Sequence, residues 1–241
     1  EEAHYVQHNK HKIALIFAAM RHFRDELRAQ GFEVHYIAYE QNVASLEAAV
    51  LATLCHCEGE RLRVCEPGEY RLLDALRAWQ LPVPREQHGL LMEKNGKPAG
   101  GRWNFDTENR RGWRAQQPVP ARAENPPDAL TREVLTLVER EFPDNPGDLR
   151  EFRLATDRAG AERALDWFLE HAMAHFGSYQ DALAEESPWL FHSLISMYIN
   201  VGLLDPLDVC REVERAWRNG HCELAAAEGF IRQILGWREY I

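Results

Sequence analysis

Ile13, Ile16, Phe17, Met20, Phe23 and Leu27 recur at the three- and four-residue steps of one helical face, and Gly31 is placed to end the run. The next stretch, Phe32–Tyr39, is dense in β-branched and aromatic residues and predicts a strand. Ser45 is a candidate cap for a helix through Leu54, Arg61–Glu66 predicts a second strand, and Tyr70–Trp79 another helix. Alternating strands and helices of this length predict right-handed β-α-β units around a parallel sheet. The first helix has no strand before it and the chain has no initiating Met. A strand is therefore expected to precede Glu1, which makes the sequence a fragment.

The pattern then changes. Leu81–Pro84 runs into a stretch with no clear periodicity, and Pro98–Pro127 is rich in turn formers, with Gly100-Gly101 and two proline clusters. From Thr131 onward the periodicity is helical throughout: Thr131–Phe142, Ala159–Phe176, Ser187–Val201, Pro206–Asn219 and Ala225–Tyr240. The expected fold class is α/β plus all-α. A parallel-sheet, Rossmann-like domain spans 1–97 with its first strand missing, a linker spans 98–130, and a helical domain spans 131–241.

Composition narrows the function classes. No apolar run reaches the roughly 18–20 residues of a membrane span. Five cysteines, thinly spread, do not form a secreted disulfide framework and point to a reducing cytosol. The net charge of −10 argues against a whole-chain grip on nucleic acid. Lys94–Arg122 nevertheless concentrates Lys94, Lys97, Arg102, Arg110, Arg111, Arg114 and Arg122, which reads as a solvated loop or a local basic surface.

Several chemistries are excluded by their spacing. Cys55, Cys57 and Cys65 match no common zinc pattern, and Cys210 with Cys222 cannot by themselves complete a four-ligand site. No dinucleotide fingerprint, P-loop or G-x-S-x-G elbow occurs. His4, His8 and His11 read either as a solvated helix entry or as the edge of a ligand pocket. His192-Ser193-Leu194-Ile195-Ser196 places two hydroxyls three apart near a helix start, an arrangement suited to a phosphate or simply to capping. Gln233 and Trp237, four apart and followed by Arg238, put an amide beside an aromatic plane, though a core helix with a buried Trp accounts for them too.

Six blocks together resemble the photolyase/cryptochrome superfamily, in its bacterial iron–sulfur branch of deoxyribodipyrimidine photolyase-related proteins that includes prokaryotic (6-4) photolyases. They are Tyr5–Phe23, Glu66–Tyr70, Gly100–Arg110, Phe142–Asn145, Ser193–Cys210 and Glu228–Tyr240. The resemblance implies an antenna domain followed by a helical FAD-binding domain. It implies FAD contacts at His192, Ser193, Leu194, Ser196, Gln233, Trp237 and Arg238, with His192 standing where the family carries Thr. It implies a [4Fe–4S] cluster with one ligand at Cys210 and the other three beyond Ile241. A 6,7-dimethyl-8-ribityllumazine antenna is implied around Glu2, Tyr5 and Ile16, with Glu66 and Pro67 at its rim. Family members are longer, and a shortened segment is expected between Pro84 and His88. The implied activity is light-driven repair of dipyrimidine lesions, (6-4) photoproducts in particular, by a cytoplasmic monomer acting on UV-damaged DNA with no membrane partner. A cryptochrome-like photoreceptor without repair, and a nucleotide-binding α/β module fused to a helical interaction domain, are the alternatives.

Overall fold

The computed structural model describes residues 6–43, 46–54, 90–94, 97–102, 104–113 and 118–239. The chain divides into two compact units, one of 1–7 with 24–88 and one of 8–23 with 89–241. The opening helix α1 (Lys10–Ala29) contributes its first part to the second unit and its last turns to the first. Among the described residues no helix is long and apolar enough to cross a membrane.

In the first unit α1 stops where expected, with Gly31 at φ 88°. Only a residue without Cβ takes that left-handed turn at little cost. The expected strand does not follow. Phe32–Ala38 runs without a ladder partner among the described residues, and Phe32 is 60% exposed. Local contacts satisfy the segment instead: Arg28 donates to the Val34 carbonyl at 3.1 Å, and the Arg24 guanidinium lies 5.0 Å from the Tyr36 ring centroid. Tyr39–Gln41 closes into a 3₁₀ turn, and α2 spans Leu46–Leu54. The Arg61–Glu66 strand and the Tyr70–Trp79 helix fall outside the described residues.

The described chain is mostly helical, and its β structure amounts to the isolated bridges Met92–Pro98 and Ala184–Ser187. The expected N-terminal parallel-sheet domain is thereby corrected. β-forming residues specify a strand only when a partner strand takes up their backbone groups. None does so here among the described residues.

The second unit is built on helices whose starts are set by aspartates. The Asp128 carboxylate accepts the Thr131 N–H and opens α3 (Ala129–Glu141), and Asp157 accepts from Gly160 to open α4 (Arg158–His171). Asp205, followed by Pro206 in the first turn, accepts from Leu207 and Asp208 to open α7 (Pro206–Arg218). These are the residues that satisfy the orphan N–H groups of a first turn. Between them lie α5 (Met173–Tyr179) and α6 (Ser196–Asn200), and α8 (Leu224–Glu239) closes the unit. Phe152, Phe168, Met173, Ile195, Val209, Val213 and Cys210 are fully buried in its core. α8 crosses α5 so closely that a Cβ on Gly177 would stand 2.7 Å from the Ala226 Cα.

Two helices differ from expectation. Ala159–Phe176 is broken at Ala172, between α4 and α5. Of Ser187–Val201 only Ser196–Asn200 is helical. Leu190 (φ 41°) and Leu194 (φ 55°) adopt left-handed conformations that interrupt a right-handed helix, and the Ser187 hydroxyl accepts the Leu190 N–H at 3.1 Å in place of a helical carbonyl.

Candidate functional site

The second unit brings together sequence blocks that are far apart in the chain. At one junction the residues before α1 meet the Phe142–Asn145 block. Asn145 donates to the His8 carbonyl at 2.7 Å, and the Lys10 N–H donates to Pro146 at 2.8 Å. The Lys10 ammonium, almost fully buried, pairs with Glu139 at 2.7 Å, and Phe17 meets Phe142 edge-on.

At a second junction the Gly100–Arg110 block docks on α8. The buried Glu228 carboxylate accepts the Phe105 N–H at 3.2 Å and the Arg232 Nε–H at 2.8 Å. Arg232 also donates to Asp106 at 3.1 Å, and Asp106 pairs with Arg110. Hydrogen bonds from Arg110 and then Arg232 hold the Asp106 carboxyl below its usual value. Asn109, 2% exposed, donates to the Ala225 carbonyl at 2.8 Å. Gly100, at φ 65°, packs where a Cβ would stand 2.6 Å from Leu224 Cδ2. A buried carboxylate is tolerated when it is paired and hydrogen-bonded, and the four charges here alternate in sign.

Part of the basic character of Lys94–Arg122 is taken up by folding. Arg102 pairs with Glu108, Arg110 with Asp106, and Arg122 lies 5.8 Å from the Trp189 ring centroid. Arg114 lies outside the described residues. A cleft of about 400 Å³ between α4 and α7 is lined by both signs, with Arg158, Arg211 and Arg215 against five carboxylates including Asp205 and Asp208.

His192, Ser193 and Leu194 lie in the turn before α6, and Ser196 is its first residue. Ser193 precedes the helix, so the two hydroxyls do not share a helical face. The turn is anchored by Phe191 and Ile195, 2% and 1% exposed, while Leu194 turns outward at 37%. The His192 ring is half-buried, edge-on to Phe176 at 6.1 Å, and Phe176 packs in turn on Phe230 of α8. Burial lowers the His192 imidazole from its ordinary value, opposed by the charge of Asp181. The His192 ring nitrogens and the Ser193 and Ser196 hydroxyls make no hydrogen bond among the described residues.

Gln233 is exposed on α8, and Trp237 and Arg238 occupy its last turns. Ile16 is half-buried on α1. Glu2, Tyr5, Glu66 and Pro67 lie outside the described residues, as do Cys55, Cys57 and Cys65. Cys210 is fully buried on α7, and no group of three or more potential metal ligands occurs among the described residues. Sequence reading passed over Glu228, Arg232, Asp106 and Asn109. The signal was there in part: Glu228 and Arg232 are an i,i+4 pair and the two charges of the run Ala225–Leu235.

The profile of the deoxyribodipyrimidine photo-lyase-related protein family matches residues 1–84 and 82–154, two stretches that meet close to the expected shortened segment. The chain belongs to that family. It is 42% identical over 280 residues to a (6-4) photolyase of Agrobacterium fabrum, a match covering 100% of this chain and 55% of the relative. It is also 41% identical over 63 residues to the uncharacterized protein R853 of Acanthamoeba polyphaga mimivirus, covering 26% of this chain and 48% of that protein. The chain spans about half the length of the curated relatives it matches.

Proposed function

We propose that this chain forms part of a light-driven DNA-repair enzyme of the photolyase type, with (6-4) photoproducts as its lesion. Family membership together with 42% identity to a (6-4) photolyase is the observation that carries the reading. The docking of Gly100–Arg110 onto α8 through Glu228 and Arg232 supports it, because two of the blocks behind the resemblance fold into one unit.

FAD fits the donor set present. His192, Ser193 and Ser196 are three donors within five residues, none committed to the rest of the described chain, on a turn fixed by left-handed Leu194. Ser193 and Ser196 hold the flavin diphosphate through O–H donation, and Gln233, Trp237 and Arg238 of α8 border the flavin or the lesion. When bound, reduced FAD supplies the light-driven electron that repair requires. Glu228 and Arg232 hold α8 against the Phe105 segment, so that the α8 residues keep a fixed position when a damaged dipyrimidine is turned out of the duplex.

The [4Fe–4S] cluster has one proposed thiolate, Cys210. A single thiol does not hold a cluster, and the described residues assemble no further ligands around it, so no step passes through that group. The lumazine antenna is proposed on Glu2, Tyr5, Ile16, Glu66 and Pro67.

The test is a repair assay with the purified, flavin-loaded protein on DNA carrying (6-4) photoproducts under blue light. Restored pyrimidines, absent in the dark, are expected. A bound flavin that responds to light with no repair on any dipyrimidine lesion would instead establish a photoreceptor.

A further inference from the structure

His192 heads the donor turn as its one titratable side chain, and the structure gives it a physical character. We propose that His192 is a proton-linked contact of the flavin diphosphate, so that binding the anion draws one proton from solvent onto its imidazole. This rests on the flavin reading above.

The geometry is specific. One side of the ring is packed edge-on to Phe176, and its nitrogens have no hydrogen-bond partner among the described residues. The next residue is Ser193, whose hydroxyl is equally uncommitted, and Ser196 follows at the start of α6. The charged groups around the ring are few. Asp181, after α5, acts on it directly. His175 of α5 is spent against the neighbouring Phe191 at 5.0 Å, and Glu186 accepts the Trp113 indole N–H at 2.7 Å. From α8 the residue behind Phe176 is Phe230, which carries no charge. A diphosphate seated on Ser193 and Ser196 therefore becomes the dominant charge near the imidazole, and an adjacent anion favours its protonated form.

The sign follows from linkage. In the flavin-free protein burial keeps His192 neutral to a lower pH than its ordinary 6.5. The bound anion raises that value. Between the two, the complex holds more protons than the free protein, so affinity falls by up to about tenfold for each unit of rising pH. A Thr at this position hydrogen-bonds but does not titrate.

The experiment is calorimetry of FAD binding to the flavin-free protein from pH 6 to 8, in two buffers of different ionisation enthalpy. Wild type is expected to take up protons, up to one per FAD, and to bind more weakly as pH rises. His192→Asn and His192→Thr should bind FAD with the uptake abolished, their fold verified by thermal unfolding of the flavin-free forms. FAD binding by wild type with no buffer dependence across that range overturns the proposal and leaves the flavin reading intact. Unchanged uptake in a folded variant overturns it as well. Failure of wild type to bind FAD at any pH overturns the flavin reading, and this proposal with it.

Discussion

The Glu228 carboxylate accepts the Phe105 N–H at 3.2 Å across 123 positions of sequence, and its other oxygen accepts from Arg232 one turn along α8. One buried acid thus fixes both the helix and the segment lying on it. Glu228→Gln keeps an acceptor and the shape but removes the charge that Arg232 faces. We expect it to lower stability by about 1–3 kcal/mol, read by urea unfolding. Glu228→Ala, which leaves the Phe105 N–H and Arg232 without that partner, is expected to cost more. An Ala variant as stable as wild type would remove Glu228 from this role.

The α5–α8 crossing makes a sharper test. A Cβ at Gly177 would meet the Ala226 Cα at 2.7 Å and the Asn109 Oδ1 at 2.8 Å, and backbone cannot yield as a side-chain tip can. Gly177→Ala is therefore expected to destabilise by about 1–3 kcal/mol, although alanine is the better helix former. Gly202→Ala meets open space and strains only its φ of 77°, at a cost of about 1 kcal/mol. Thermal unfolding of the two variants should rank them in that order.

The start of α3 should carry an acid-dependent share of stability. Burial works against ionisation of Asp128, and the hydrogen bonds from the Thr131 hydroxyl and N–H, with the charges of His22 and Arg132, outweigh it and hold the carboxyl below its ordinary value. A depressed carboxylate contributes fully above its unfolded-state value and loses that contribution as pH falls through the folded one. Asp128→Ala is expected to cost about 1 kcal/mol at pH 7, with the gap to wild type closing as the pH is taken down to about 3. A gap that stays constant with pH would show that the ionised cap is not its source.

Cys210 separates packing from ligation. It is fully buried on α7 beside Val209 and Val213. As a proposed cluster ligand, Cys210→Ser should lower the bound iron of the purified protein, measured by metal analysis and by visible absorbance. Unchanged iron in a folded variant assigns the residue to the core, where the loss of a buried sulfur costs stability only.

The sequence determined α3, α7, α8 and the start of α4 because their signals are local. Asp128, Asp157 and Asp205 sit next to the N–H groups they cap, and the three- and four-residue spacing of apolar positions is legible along a single helix. It also determined the family, since a likeness between sequences holds whatever the arrangement of the residues in space: the family profile matches 1–154, and the similarity to a relative runs along the whole chain. The tertiary structure decided what depends on distant partners. Phe32–Tyr39 has the composition of a strand, yet a strand exists only where another chain segment accepts its hydrogen bonds, and among the described residues none does. Leu190 and Leu194 look like helix formers, yet both take left-handed turns, and the adjacent Phe191 and Ile195 are buried in the folded unit. Likewise Arg102 and Arg110 read as basic surface until folding pairs them with Glu108 and Asp106. The alternating network through Arg232 to Glu228 arises only because α8 crosses that segment, a meeting of residues more than a hundred positions apart.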